Sequence, residues 1–171
     1  TTAASPTPPA TQEVARIQTR SQVRRLTASV FAGNRQPLDT LNLDDFINLD
    51  PNGFVSTDLN GEAEVVIEDC LKIFVFQLSS LTRNTCRKSD LESGLAVCTT
   101  AGITTVINNC TSKVTIESPS SSVTTNGTMF SVIYLPEDQL SLVQVYEGSV
   151  DVSAVMNESG EMSDSSSLEQ D

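Results

Sequence analysis

The chain has 171 residues, with 22 acidic against 10 basic side chains, a net charge of −12 and no histidine or tryptophan. That length suits one domain with its own core, and the negative field repels nucleic acid and anionic membrane, so neither is an expected partner. The absence of histidine removes Ser-His and Cys-His dyads and imidazole metal ligands; phosphate loops of the G-x-x-x-x-G-K-[ST] and G-x-G-x-x-G kinds are also missing, so an enzyme is not expected.

Residues 1–22 open with TTAASPTPPAT, which lacks both a positive n-region and an apolar h-region and reads as a Thr/Pro-rich spacer of the sort that follows a removed signal or an upstream membrane anchor. Arg16, Arg20 and Arg24, spaced by four, would line one face of a helix. The expectation is instead a first strand near residues 23–31, with the arginines solvated or set against the acidic remainder. Asp50-Pro51-Asn52-Gly53 and Leu59-Asn60-Gly61 combine a preset φ with residues that tolerate positive φ, and predict turns. Asn48, Asp50 and Asn52 imitate the start of a calcium loop, but its twelfth position is Leu59 in place of the bidentate Glu, so no metal is expected.

The segment EAEVVIE (62–68) alternates, with Ala63, Val65 and Ile67 on a buried face and Glu62, Glu64 and Glu68 on a wet one. KIFVFQL (72–78) is apolar on both faces and predicts a deep central strand. Further strands are expected at 95–100, 103–108, 113–117, 122–125, 128–135, 140–147 and 149–155, rich in Thr, Val and Ile. Pro136-Glu137-Asp138 predicts a hairpin turn between two of them. The last fifteen residues (157–171) hold five acids and no base among serines, and are expected to stay an unordered acidic tail or linker. The fold class that follows is all-β, with no stretch long and apolar enough for membrane insertion as a helix.

Cys70, Cys86, Cys98 and Cys110 are separated by 16, 12 and 12 residues, without a C-x-x-C pair or a histidine to help hold zinc. An even count in a chain of this size predicts two disulfides if the protein is exported, with three pairings open. Asn109, Asn126 and Asn157 begin N-x-[ST] sequons that matter only in a eukaryotic secretory route.

Two segments carry a family resemblance: TNGTMFSV (125–132) is similar to a G-T-x-F-x-V motif and YEGSVDV (146–152) to an E-G-x-V-x-V motif, both of the FecR domain. Residues 43–81 and 113–128 resemble the turn, the small-residue strand and the I-x-T-P segment of the same family, with Ser118 where that family often has Thr. The residues concerned, Gly127, Thr128, Phe130, Val132, Glu147, Gly148, Val150 and Val152, read as fold determinants: the glycines supply tight turns or, at Gly148, a bulge, and the others alternate along strands.

The resemblance implies a twisted solenoid-like or sandwich-like β domain over residues 23–156, working in the periplasm, at the cell surface or after secretion as a signalling or binding module without a cofactor. Against a compact family member, residues 83–110 look inserted, and they hold three of the four cysteines. The expected partner is a protein or glycan, met by edge strands or by that insertion. The alternative is a structural spacer module of a larger surface or secreted protein.

Overall fold

The computed structural model describes residues 21–27, 29–33, 39–42, 46–50, 53–83, 86, 95–155 and 166–170. In chain order the strands are β1 (Ser21–Thr27), β2 (Val30–Gly33), β3 (Asp39–Thr40), β4 (Phe46–Asn48), β5 (Phe54–Thr57), β6 (Glu62–Ile67) and β7 (Leu71–Val75). They continue as β8 (Ser80–Thr82), β9 (Leu95–Asn108), β10 (Val114–Glu117), β11 (Ser121–Thr125), β12 (Thr128–Leu135), β13 (Leu140–Ala154) and β14 (Ser166–Gln170). The fold is all-β, and among the described residues no helix is long and apolar enough to cross a membrane.

Two long strands organise the fold by each serving two sheets. Residues 102–108 of β9 pair with β7 and β12, while residues 95–101 pair with β8 and, in parallel, with β10. Residues 140–147 of β13 pair with β12, and residues 148–154 pair with β11 and β14. The succession β9, β12, β13, β11, β10 and back to β9 therefore closes a barrel-like ring. Strands β7, β6, β1 and β4 continue the layer built on residues 102–108 of β9, and β8, β5, β2 and β3 continue the layer built on residues 95–101.

One hydrophobic core lies between these layers. Val23, Val65, Ile73, Val106, Phe130 and Val132 enter it from the first, and Val30, Val55, Leu81, Val97, Ile116, Val123 and Val150 from the second. These are mostly β-branched aliphatics, whose stiff side chains pack well on a pleated surface. The tight turn at Asp50 is present, the Gly53 amide bonding the Asp50 carbonyl at 2.7 Å, and the Gly61 amide bonds the Asp58 carbonyl at 3.1 Å. Pro51 and Asn52 lie outside the described residues.

Several expectations need correction. The runs 95–100 and 103–108 are one strand, bent at Gly102 (φ 75°), and the runs 140–147 and 149–155 belong to one strand bent at Gly148 (φ 82°). Beside Gly148 the partners of Met129 and Phe130 jump from Glu147 to Val145, so Tyr146 is the extra residue of a bulge, and the bulge reading of this glycine holds. Of the stretch 83–110, residues 95–108 form β9, the shared central strand of both layers, with Val97 and Val106 fully buried. Spacing relative to a family motif carries no information about packing, whereas burial does.

Strand β7 ends at Val75 and buries only the face of Leu71, Ile73 and Val75; Phe74 and Phe76 are half-buried, and Lys72, Gln77 and Leu78 are exposed. Residues 12–26 do not form the arginine-faced helix as far as they are described, because Arg24 sits in β1; Arg16 and Arg20 lie outside the described residues. The acidic tail contributes β14, since pairing along a strand edge needs backbone groups and no core burial.

The four cysteines form two disulfides, Cys70–Cys110 and Cys86–Cys98, spanning 40 and 12 residues with Cα–Cα distances of 4.9 and 5.2 Å. The first ties the β6–β7 turn to the segment just after β9, and the second anchors Cys86 near the start of β9. Two such bonds fit an oxidising, extracytoplasmic compartment.

Candidate functional site

The motif residues gather at the junction where the ring bends, and they are structural. Gly127 has φ 63° in the exposed turn between β11 and β12, and a Cβ added at Gly148 would sit 3.1 Å from the Gly127 carbonyl. Thr128 is buried between them; its hydroxyl donates to the Ser149 carbonyl at 2.9 Å and accepts from the Thr125 hydroxyl. Phe130, Val132 and Val150 lie in the core, Val152 packs against it, and Glu147 points to solvent. This cluster holds the strands in place, and the depression beside it, lined by Gly127, Thr128 and Glu147 among others, measures about 110 Å³, smaller than a usual ligand pocket.

A second polar cluster lies across β13. Ser141 hydrogen-bonds Ser118 and Ser120, each at 2.6 Å, and Ser118 also bonds the Ser121 hydroxyl at 2.9 Å. The bonds of these hydroxyls run to one another and to the backbone, closing the end of the barrel. A shallow groove of about 220 Å³, lined by Lys113, Thr124, Asn126 and Asp151 among others, is polar and carries no aromatic side chain. No cluster of metal-binding side chains occurs among the described residues. Burial pushes the Arg83 guanidinium below the ordinary arginine pKa, with the Glu68 carboxylate opposing that fall.

The outer edge of β13 differs along its length. Along residues 148–152 that edge is taken by β14, running antiparallel. Along residues 140–147 the strand pairs with β12 on its other side and, among the described residues, with nothing on this one. From Leu140 to Tyr146 there is no charged side chain. Val143 and Val145 pack against the core, while Leu140 (44% exposed), Leu142 (49%) and Tyr146 (43%) face solvent.

Cross-strand neighbours widen this apolar surface. Leu142 pairs with Ile133, which pairs with the exposed Ile103, and Leu140 pairs with the exposed Leu135. Tyr146 is held in place by the Ser131 hydroxyl, 3.1 Å from its own. Native sheets usually guard an open edge with a charge, a proline or shortness, and residues 140–146 have none of these. The proline and acids of the hairpin turn, Pro136, Glu137 and Asp138, stand just beyond it.

Of the two expected contact surfaces, edge strands and residues 83–110, the second contains β9 over residues 95–108, while residues 84–85 and 87–94 lie outside the described set. β13 presents an edge that is open along residues 140–147 among the described residues. The uncharged run LSLVQVY was a visible signal, but openness of an edge is a property of topology. Comparison with family models, curated proteins and solved structures gives no match to this chain.

Proposed function

We propose that this chain is an extracytoplasmic binding module of the sensing kind, in the periplasm, at the cell surface or secreted, whose protein partner adds an extended strand to β13 along residues 140–147. One observation carries the reading: a single edge of β13 is half occupied, by β14, and, among the described residues, half open, with exposed apolar side chains and no charge from Leu140 to Tyr146. Strand addition draws affinity from main-chain hydrogen bonds and specificity from alternate side chains, and residues 140–147 offer both an unpaired backbone and alternate apolar side chains. The motifs similar to the FecR domain and the two disulfides agree with an extracytoplasmic role.

The test is selection of displayed random peptides of about ten residues on the oxidised domain, followed by hydrogen exchange of the complexes. Selected peptides should slow exchange of the amides of residues 140–147, and Leu142→Lys should abolish their binding while leaving the fold intact. Binders that protect another surface, and are indifferent to Leu142→Lys, would refute strand addition at this edge.

A further inference from the structure

Charge along the chain is strongly asymmetric. All ten Lys and Arg residues lie at or before Lys113, and residues 114–171 carry ten Asp and Glu with no base. Those residues include β11 to β14, so the open edge belongs to a region of one sign. Exposed Glu137 and Asp138 stand at its start, and exposed Glu147, followed by Asp151, at its end. The stretch between them is neutral.

Building on the strand-addition reading, we infer that the partner segment is an extended, apolar-alternating strand flanked at both ends by Lys or Arg, docking antiparallel to β13 in line with β14. Gln170, the last described residue of β14, pairs with Gly148, next to the stretch that is open among the described residues, and β14 shows the sense in which this edge takes a strand. A segment of about eight residues continuing that line starts beside Glu147 and finishes beside Leu140. Its basic flanks then meet Glu147 at one end and Glu137 with Asp138 at the other. Its middle covers Leu142 and Tyr146 on the outer face. Complementary charge at the rim raises association rate and selects the partner, while the ladder and the apolar middle supply affinity.

A second copy of this chain fits less well. Side-chain faces match across a two-fold axis only if that axis passes through a residue, because a half-step register turns every side chain to the wrong face. Centred on Val143, such pairing places Gln139 opposite Glu147 and Asp138 opposite Gly148, so the acidic ends of two chains, each of net charge −12, converge.

The experiment uses the oxidised chain and three synthetic strands of alternating Val and Thr: one flanked by lysines, one by glutamates, and a lysine-flanked one interrupted by proline. At low ionic strength the lysine-flanked strand should bind about tenfold or more tighter than the glutamate-flanked one, and the gap should shrink at about 0.5 M salt. The proline-interrupted strand should fail. A spin label on the peptide's N-terminus should broaden the resonances of Glu147 and Gly148, and one on its C-terminus those of Leu140. Equal binding of the lysine- and glutamate-flanked strands, with residues 140–147 protected, overturns the charge inference and leaves strand addition standing. No protection of residues 140–147 by any strand overturns both. Sedimentation showing a dimer that Leu142→Lys dissolves would assign the edge to a second copy and overturn the inference.

Discussion

Gly102 and Ser79 approach so closely that a Cβ on the glycine would lie 2.2 Å from the serine hydroxyl, the same hydroxyl that accepts the Ile103 amide at 2.8 Å. This contact holds the bend that lets β9 pass from one layer to the other. Gly102→Ala must resolve both that overlap and a φ of 75°, and should cost about 3 kcal/mol or more. Gly127 has a similar φ but nothing within 4 Å of its missing Cβ, so Gly127→Ala should cost only about 1–2 kcal/mol. Gly127→Val and Gly148→Val should each lower the melting temperature further, since β-branching is poorly tolerated at positive φ. Urea unfolding of the variants checks the order; a Gly102→Ala no worse than Gly127→Ala would remove the tight bend from the account.

These glycines also mark where sequence reading stopped. The all-β class, β12 from Thr128 to Leu135 and the Pro136 turn follow from alternation and turn chemistry, which are local. Gly102 and Gly148 announce positive φ, but a turn that ends a strand and a bend inside one share that requirement, and only pairing separates them. Glu64 looks like a wet position in an alternating strand, yet it is 6% exposed because Arg24, forty residues earlier, pairs with it from β1. The open edge was half legible: the absence of charge between Leu140 and Tyr146 is written in the chain, whereas the lack of a neighbour among the described residues is a matter of strand pairing.

The two disulfides should differ in weight. Cross-linking restricts the unfolded chain in proportion to the logarithm of loop length, which gives about 4 kcal/mol for the 40-residue span of Cys70–Cys110 and about 3 kcal/mol for the 12-residue span of Cys86–Cys98. Paired Cys→Ala replacements, followed by denaturant titration without reductant, should show the larger loss for Cys70 with Cys110. The reverse order would mean that Cys86–Cys98 contributes mainly by holding native structure around β9.

Arg24 and Glu64 are cross-strand partners in β1 and β6 and form an ion pair, with the arginine side chain 36% exposed and the glutamate 8%. Removing the arginine alone leaves a largely buried carboxylate without that partner. After discounting for the solvent exposure of the guanidinium, Arg24→Ala should destabilise by about 1–3 kcal/mol. The double change Arg24→Met with Glu64→Leu should recover most of that loss, because apolar residues of similar volume avoid the desolvation cost altogether. A double-mutant cycle by thermal unfolding measures the coupling; a double variant no more stable than Arg24→Ala would show that the pair is needed for the register of β1 on β6.

A chain ending at Val155 lacks β14 and, among the described residues, leaves the whole outer edge of β13 from residue 140 to 152 unpaired. Five edge residues gain about 1 kcal/mol per net hydrogen bond, but ordering each backbone costs about 1–2 kcal/mol, so the two nearly cancel. Global stability should therefore fall by less than about 2 kcal/mol, while the amides of residues 148–152 that face β14 lose their exchange protection. The lengthened edge should then self-associate when salt screens the remaining carboxylates, and Leu142→Lys should suppress that association by placing a charge where natural edges carry one. Hydrogen exchange and sedimentation at low and high ionic strength check both halves. If the shortened chain unfolds outright, β14 is an integral wall of the fold, and the open stretch beside it cannot be treated as a docking edge that β14 merely half fills.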